Sequence, residues 1–110
     1  MSNQNIKNSL MGTQEGFNLA KDILLRFEDG NRTCEGIKTF THNNQNRIKL
    51  KRLIYNPSEW IFEWLWDFKF IEPIYKNKVP QTRTAFRMTT DIDEAVTRLT
   101  YLTTKTGLTP

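Results

Sequence analysis

Cysteine and histidine are nearly missing from this chain, with Cys34 and His42 the single examples of each. One cysteine excludes an intrachain disulfide. One Cys and one His cannot supply the three or four protein ligands of a zinc site. There is no spaced acidic motif for Mg²⁺, no Gly-rich phosphate loop, and no nucleophile elbow. Long apolar runs are missing too: none reaches the ~18–20 residues of a membrane span. Met1–Leu10 is polar and Asn-rich, without the apolar stretch of a signal peptide or the Arg-rich character of a transit peptide. The expectation is a chain with no cofactor, metal or membrane partner, cytoplasmic, or inside the host cell if virus-encoded.

What is present suits one small globular domain. The length is 110 residues, enough for one core and too short for two. Aromatics make up 12% of the chain, which argues against disorder. Residues 1–12 read as a flexible N-terminal arm and 13–110 as a single α+β domain.

Thr13 to Glu28 has the apolar spacing of a helix, with Phe17, Ala20, Ile23, Leu24 and Phe27 on one stripe. Thr13 is its N-cap and Asp29-Gly30 its stop. Thr33 to Tyr55 reads as a β-hairpin, because Ile48, Leu50 and Ile54 alternate against Arg47, Lys49 and Lys51. Asn56-Pro57-Ser58-Glu59 favours a helix start, with a helix to about Trp66. However, Trp60, Phe62, Trp64, Trp66, Phe68 and Phe70 also form a period-two row that fits a strand. A second hairpin spans Phe68–Tyr75 and Arg83–Thr89, with Pro73 limiting its first arm to an edge or bulge. Asp91 to Thr104 closes the chain as a helix with Ile92, Ala95, Val96, Leu99 and Leu102 inward. The order expected is α-β-β-α-β-β-α, an antiparallel sheet of two hairpins with helices. The alternative is a five-stranded meander between two helices.

Catalytic candidates are thin. Cys34 and His42 form the one thiol–imidazole pair, without a third orienting group. Glu59, Glu63 and Asp67 would share a helix face, where solvated charge is the default. The end of the first helix, Phe27-Glu28-Asp29-Gly30, resembles the acidic-Gly helix end of LAGLIDADG homing endonucleases, which share the α-β-β-α-β-β-α order and place a metal-binding carboxylate there. The small-residue packing face of that family is replaced by Leu24, Leu25 and Arg26, so Asp29-Gly30 reads as an ordinary helix stop.

Charge distribution says more than the net charge of +4. Gly36 to Asn56 carries Lys38, Arg47, Lys49, Lys51 and Arg52 with no acid, and Pro73 to Thr90 carries Lys76, Lys78, Arg83 and Arg87, again with no acid. Strand parity would set Arg47, Lys49 and Lys51 on one face of their strand and Arg83 and Arg87 on one face of theirs; if the hairpins join one sheet, its outer face is a basic surface suited to phosphates. Trp66, off the Trp60/Trp64 stripe on a helix and beside Glu59 and Glu63, is a candidate docking aromatic. The function expected is that of a non-catalytic accessory or regulatory protein. It would dock onto a larger protein or nucleoprotein assembly through Arg47, Lys49, Lys51, Arg52, Lys76, Lys78, Arg83, Arg87 and Trp66. Direct DNA or RNA binding is the alternative and a nuclease-type enzyme the third reading.

Overall fold

The apolar stripe of Leu19, Ala20, Ile23, Leu24 and Phe27 lies on helix α2, Gln14–Phe27, and every one of those residues is buried. A computed structural model describes residues 3–74 and 84–105. Thr13 caps α2 as expected, its hydroxyl accepting from the Gly16 backbone N–H at 2.9 Å, and Gly30 follows the helix end at φ 146°. Gly16 has a packing reason as well: a Cβ there would lie 1.9 Å from the Leu10 carbonyl oxygen. That close approach lets the helix before it, α1 (Asn3–Met11), turn back along α2.

Among the described residues the fold has six helices and a three-stranded antiparallel sheet, in the order α1, α2, β1 (Arg32–Thr33), α3 (Cys34–Phe40), α4 (Gln45–Leu50), α5 (Pro57–Asp67), β2 (Ile71–Ile74), β3 (Ala85–Met88) and α6 (Ile92–Lys105). The strand order is β1-β3-β2. β2 is thus an edge, where the missing N–H of Pro73 is tolerated opposite Phe86. Helices α2 and α5 form the centre, with α1, α4, α6 and β3 against α2 and α1, α3 and β2 against α5. Ile61, Phe62, Trp64 and Leu65 of α5 join Phe70, Ile71, Phe86, Ala95 and Leu99 in one buried cluster.

Several expectations are corrected. Residues 3–11, expected as part of an arm, form α1. Leu10 and Met11 are buried, Trp64 Nε1 donates to Asn8 Oδ1 at 3.2 Å, and Lys7 Nζ reaches Asp67 at 2.7 Å and Glu63 at 3.6 Å. A polar sequence hid this helix, since its anchors are the last residues and one buried lysine. The first hairpin, 33–55, is instead β1 followed by two short helices. Each has its own side-chain cap: Thr33 Oγ1 accepts from Gly36 N at 3.0 Å, and Asn44 Oδ1 accepts from Asn46 N and Arg47 N at 2.9 and 3.3 Å. Two side-chain caps, each opening a helix, outweigh a five-residue alternation. The two-hairpin order therefore does not hold. The meander fails as well, because 57–67 is helical.

The start of α5 follows the sequence reading, with Pro57 in its first turn, although Asn56 sits left-handed at φ 57° and its side chain caps nothing. Its end is a Schellman motif without glycine. Lys69 takes φ 65°, Phe70 N donates to Leu65 O at 2.9 Å and Lys69 N to Trp66 O at 3.0 Å. Arg98 of α6 completes it, donating to the carbonyls of Phe68 and Lys69 with its guanidinium 4.4 Å from the Phe70 ring centre, a cation where the helix dipole is negative.

The strands Ile71–Ile74 and Ala85–Met88 pair antiparallel within the two arms expected for the second hairpin, and residues 75–83 between them lie outside the described residues. The final helix begins as expected, with Asp91 Oδ1 accepting from Glu94 N at 2.8 Å. No helix among the described residues is long and apolar enough to cross a membrane.

Candidate functional site

Asn44 positions the basic segment at two points. Its carbonyl oxygen caps α4, and its Nδ2 donates to Asp22 Oδ2 of α2 at 2.9 Å. Leu50, 1% exposed, then pins α4 to the core. At about 100° per residue, Lys49 and Lys51 flank Leu50 on either side, and Ile48 and Arg52 fall about 160° away, toward solvent. Accordingly, Ile48, Lys49, Lys51 and Arg52 are all exposed, while Arg47 is half-buried. Helical turns continue past α4, through Lys51 N to Arg47 O and Leu53 N to Leu50 O, so Lys51 and Arg52 stay on this outer surface.

The strand-parity account of these cations is overturned. A strand would place Ile48 and Leu50 together, whereas the helix buries Leu50 and leaves Ile48 41% exposed. The result still gathers cations: Lys49, Arg52 and Lys51 surround Ile48. No carboxylate of the described residues comes within ion-pairing distance of Arg47, Lys49, Lys51 or Arg52. Several cations elsewhere are engaged. Arg87, exposed on β3, pairs with Glu72 at 2.8 Å; Lys38 lies 3.4 Å from Glu35 and 3.8 Å from Glu59; Arg26 and Lys21 lie over Phe40 and Phe17. Arg87 sits on the sheet and Arg47–Arg52 on a helix, so the single basic sheet face does not form. Lys76, Lys78 and Arg83 lie outside the described residues.

Beside the basic segment is a polar cleft of about 450 Å³, lined by Lys38, His42, Arg47, Asn56, Ser58 and Glu59 among others. Arg47 Nη1 donates to the His42 carbonyl at 2.9 Å, closing one wall. Behind it, the buried Thr41 and Ser58 hydroxyls meet at 2.6 Å while Thr41 Oγ1 donates to Ile37 O at 2.8 Å. Ser58 is then the donor to Thr41, and the pair ties the end of α3 to the start of α5. Partial burial pulls the Lys38 ammonium down, but the Glu59 and Glu35 carboxylates outweigh it and hold the group above its usual value. Lys38 is therefore charged but already matched by acids.

Cys34 is half-buried at the start of α3. Desolvation pushes its thiol up to about 11, and the Glu59 carboxylate adds to the shift. A helix start normally favours the thiolate, yet burial dominates here and keeps the thiol protonated at neutral pH. Among the described residues no group of three or more His, Cys, Asp or Glu side chains is placed to hold a metal ion.

Trp66 is half-buried, its ring edge-on to Phe86 at 4.9 Å and 75°. It faces the sheet, lining a cleft with Lys69, Ile71, Glu72, Pro73 and Thr89. Glu63 and Asp67 point to Lys7 on another side of α5. The expected rim of Glu59 and Glu63 around Trp66 is absent. Trp64 is fully buried between Phe68 and Phe70, at 4.5 and 5.7 Å.

Sequence reasoning missed a set of exposed apolar residues around the basic segment. Leu53 and Tyr55 are each 75% exposed. Leu53 and Ile54 also line a groove of about 230 Å³ with Ile6, Leu10 and Thr13. A signal was available, since Leu53-Ile54-Tyr55 directly follows Lys51-Arg52. Reading the stretch as a strand placed half of it in the core.

No model of a known protein family, no curated protein and no solved structure matches this chain.

Proposed function

We propose that this is a non-catalytic accessory protein that docks onto a nucleoprotein assembly by holding nucleic-acid phosphates on the segment Arg47–Arg52. One observation carries the reading: Arg47, Lys49, Lys51 and Arg52, none ion-paired among the described residues, lie together on one short segment, while Lys7, Lys38 and Arg87 are held by carboxylates and Arg98 caps α5. Phosphate contacts by Lys and Arg supply sequence-independent affinity. An exposed cationic surface is their electrostatic footprint.

A second reading, an acidic protein surface as partner, is favoured by the apolar groove at Leu53, Ile54 and Ile6 beside the same cations.

The test is reversal of Arg47, Lys49, Lys51 and Arg52 to Glu, with affinity for a labelled oligonucleotide and melting temperature measured together. The reading expects binding to be lost with little change in stability, because surface substitutions generally cost within about 0.5 kcal/mol. Unchanged oligonucleotide affinity would remove it. Loss of a protein partner from nuclease-treated extract, without any oligonucleotide binding by the parent, would favour the acidic protein surface.

A further inference from the structure

We infer that the nucleic acid held by this segment is single-stranded, with Tyr55 as a stacking platform for a base; this deepens the phosphate-binding reading and rests on it. Three features meet at one place. The first is the cationic turn itself. Lys51 and Arg52 lie past the last residue of α4, on a tight turn. α4 is six residues, about 9 Å long, and so has fewer than two turns to lay along a duplex groove. A turn bearing cations fits a flexible strand whose backbone can follow it.

The second feature is the state of Tyr55. Apart from Tyr101 on α6, 58% exposed and away from the cationic turn in sequence, the other aromatics among the described residues are committed. Phe62, Trp64, Trp66, Phe68, Phe70 and Phe86 contact other rings. Phe17 and Phe40 lie under cations. Trp60 packs against the core. Tyr55 is 75% exposed, with neither a ring partner nor a hydrogen bond in the described residues. Exposing a tyrosine ring to water gains the fold nothing, and an open π-face is what an unpaired base stacks on.

The third feature is distance along the chain. Tyr55 is the third residue after Arg52, so their Cα atoms lie within about 11 Å. A phosphate held by Arg52 and Lys51 therefore leaves its own or a neighbouring base within reach of the Tyr55 ring. Leu53, equally exposed, extends the apolar surface beside it. A base in a duplex is already stacked and paired, so it cannot use this ring without being extruded. An unpaired strand gains the contact at no such cost.

Fluorescence anisotropy with a labelled single-stranded oligonucleotide and a duplex of equal length tests the inference on the full chain. The parent is compared with Tyr55→Ala, Tyr55→Phe and the Glu reversal of Arg47, Lys49, Lys51 and Arg52. All these side chains are solvent-facing or half-buried, and melting temperatures confirm that each variant folds. The expected result is single-strand binding at least about tenfold tighter than duplex binding. Tyr55→Ala weakens it by about 5- to 100-fold while Tyr55→Phe, which keeps the ring, stays within about twofold. Duplex affinity equal to or above single-strand affinity overturns the inference, as does a Tyr55→Ala variant that binds like the parent. In both cases, loss of binding in the Glu variant would leave the phosphate reading standing. Unchanged binding in the Glu variant, or no binding by the parent to either oligonucleotide, overturns the phosphate reading and the inference with it.

Discussion

Replacing Asn44 removes no cation, yet it should loosen the basic segment. Its Oδ1 is the N-cap of α4, and such caps contribute about 0.5–2 kcal/mol, typically about 1. Its Nδ2 bond to Asp22 holds the start of α4 on α2. A hydrogen bond to a charged group contributes about 1.5–3 kcal/mol, and partial exposure at this site puts it nearer the low end. Asn44→Ala loses both and should destabilise the fold by about 2.5 kcal/mol. Asn44→Ser keeps a capping oxygen and loses only the tie to α2, so about 1.5 kcal/mol is expected. Asn44→Asp also keeps the cap, but it faces the Asp22 carboxylate with a like charge and should be worse than Ser at pH 7. Urea denaturation of the three variants measures this, with Asp22→Ala closing a double-mutant cycle. Oligonucleotide affinity should fall for Asn44→Ala because α4 frays, although every cation is retained. If Asn44→Ala costs under about 0.3 kcal/mol, the account of how α4 is held is wrong. If Asn44→Ser costs as much as Asn44→Ala, the cap contributes nothing and the tie to α2 alone positions the segment.

Two further outcomes follow from the same geometry. Trp66→Ala should cost about 2 kcal/mol in stability, roughly half the 3–5 kcal/mol of a fully buried large aromatic because the ring is half-buried, and should leave oligonucleotide affinity within about twofold; a stable variant that no longer binds would return Trp66 to the docking surface. Alkylation of Cys34 by iodoacetamide at pH 8 should be about 100-fold slower in the folded protein than in the urea-unfolded chain, since the thiolate fraction drops by that factor when the thiol moves from 9.0 to about 11. The folded-state rate should keep rising through pH 10, and stability should fall between pH 9 and 11, where the unfolded chain ionises and the folded one resists. A folded-state rate that levels off by pH 9 would contradict this.

The terminal helix α6, helix α2 and the β2–β3 pairing were readable because long stripes and turn residues repeat their message over many positions. Helix α5 was readable only from its start signal, Asn56-Pro57-Ser58-Glu59, since its aromatic row also has period two. Its glycine-free end at Lys69 could not be seen, because the left-handed Lys69 is held by the Phe70 N–Leu65 O bond and by Arg98 of α6, which lies 29 residues further along the chain. The region 33–55 misled for a physical reason. Arg47-Ile48-Lys49-Leu50-Lys51 alternates, but one of its two apolar residues is spent on solvent, and burial is what gives alternation its meaning. Thr33 and Asn44, whose side chains accept from backbone N–H groups two or three residues on, carried the helical signal. The acid-free charge pattern survived the change of secondary structure in part: Arg47, Lys49, Lys51 and Arg52 remain together, while Arg87 is claimed by Glu72.

The salt dependence of oligonucleotide binding tests the central claim most directly. Each phosphate neutralised on a single strand contributes about −0.7 to the slope of log K against log salt, so contacts from Arg47, Lys49, Lys51 and Arg52 predict a slope near −3. Neutralising one of them, as in Lys51→Gln, should flatten that slope by about 0.7, while neutralising Arg87, which is paired with Glu72, should leave it unchanged. A slope near zero, or one that responds to Arg87 and ignores Lys51, would contradict phosphate binding by this segment.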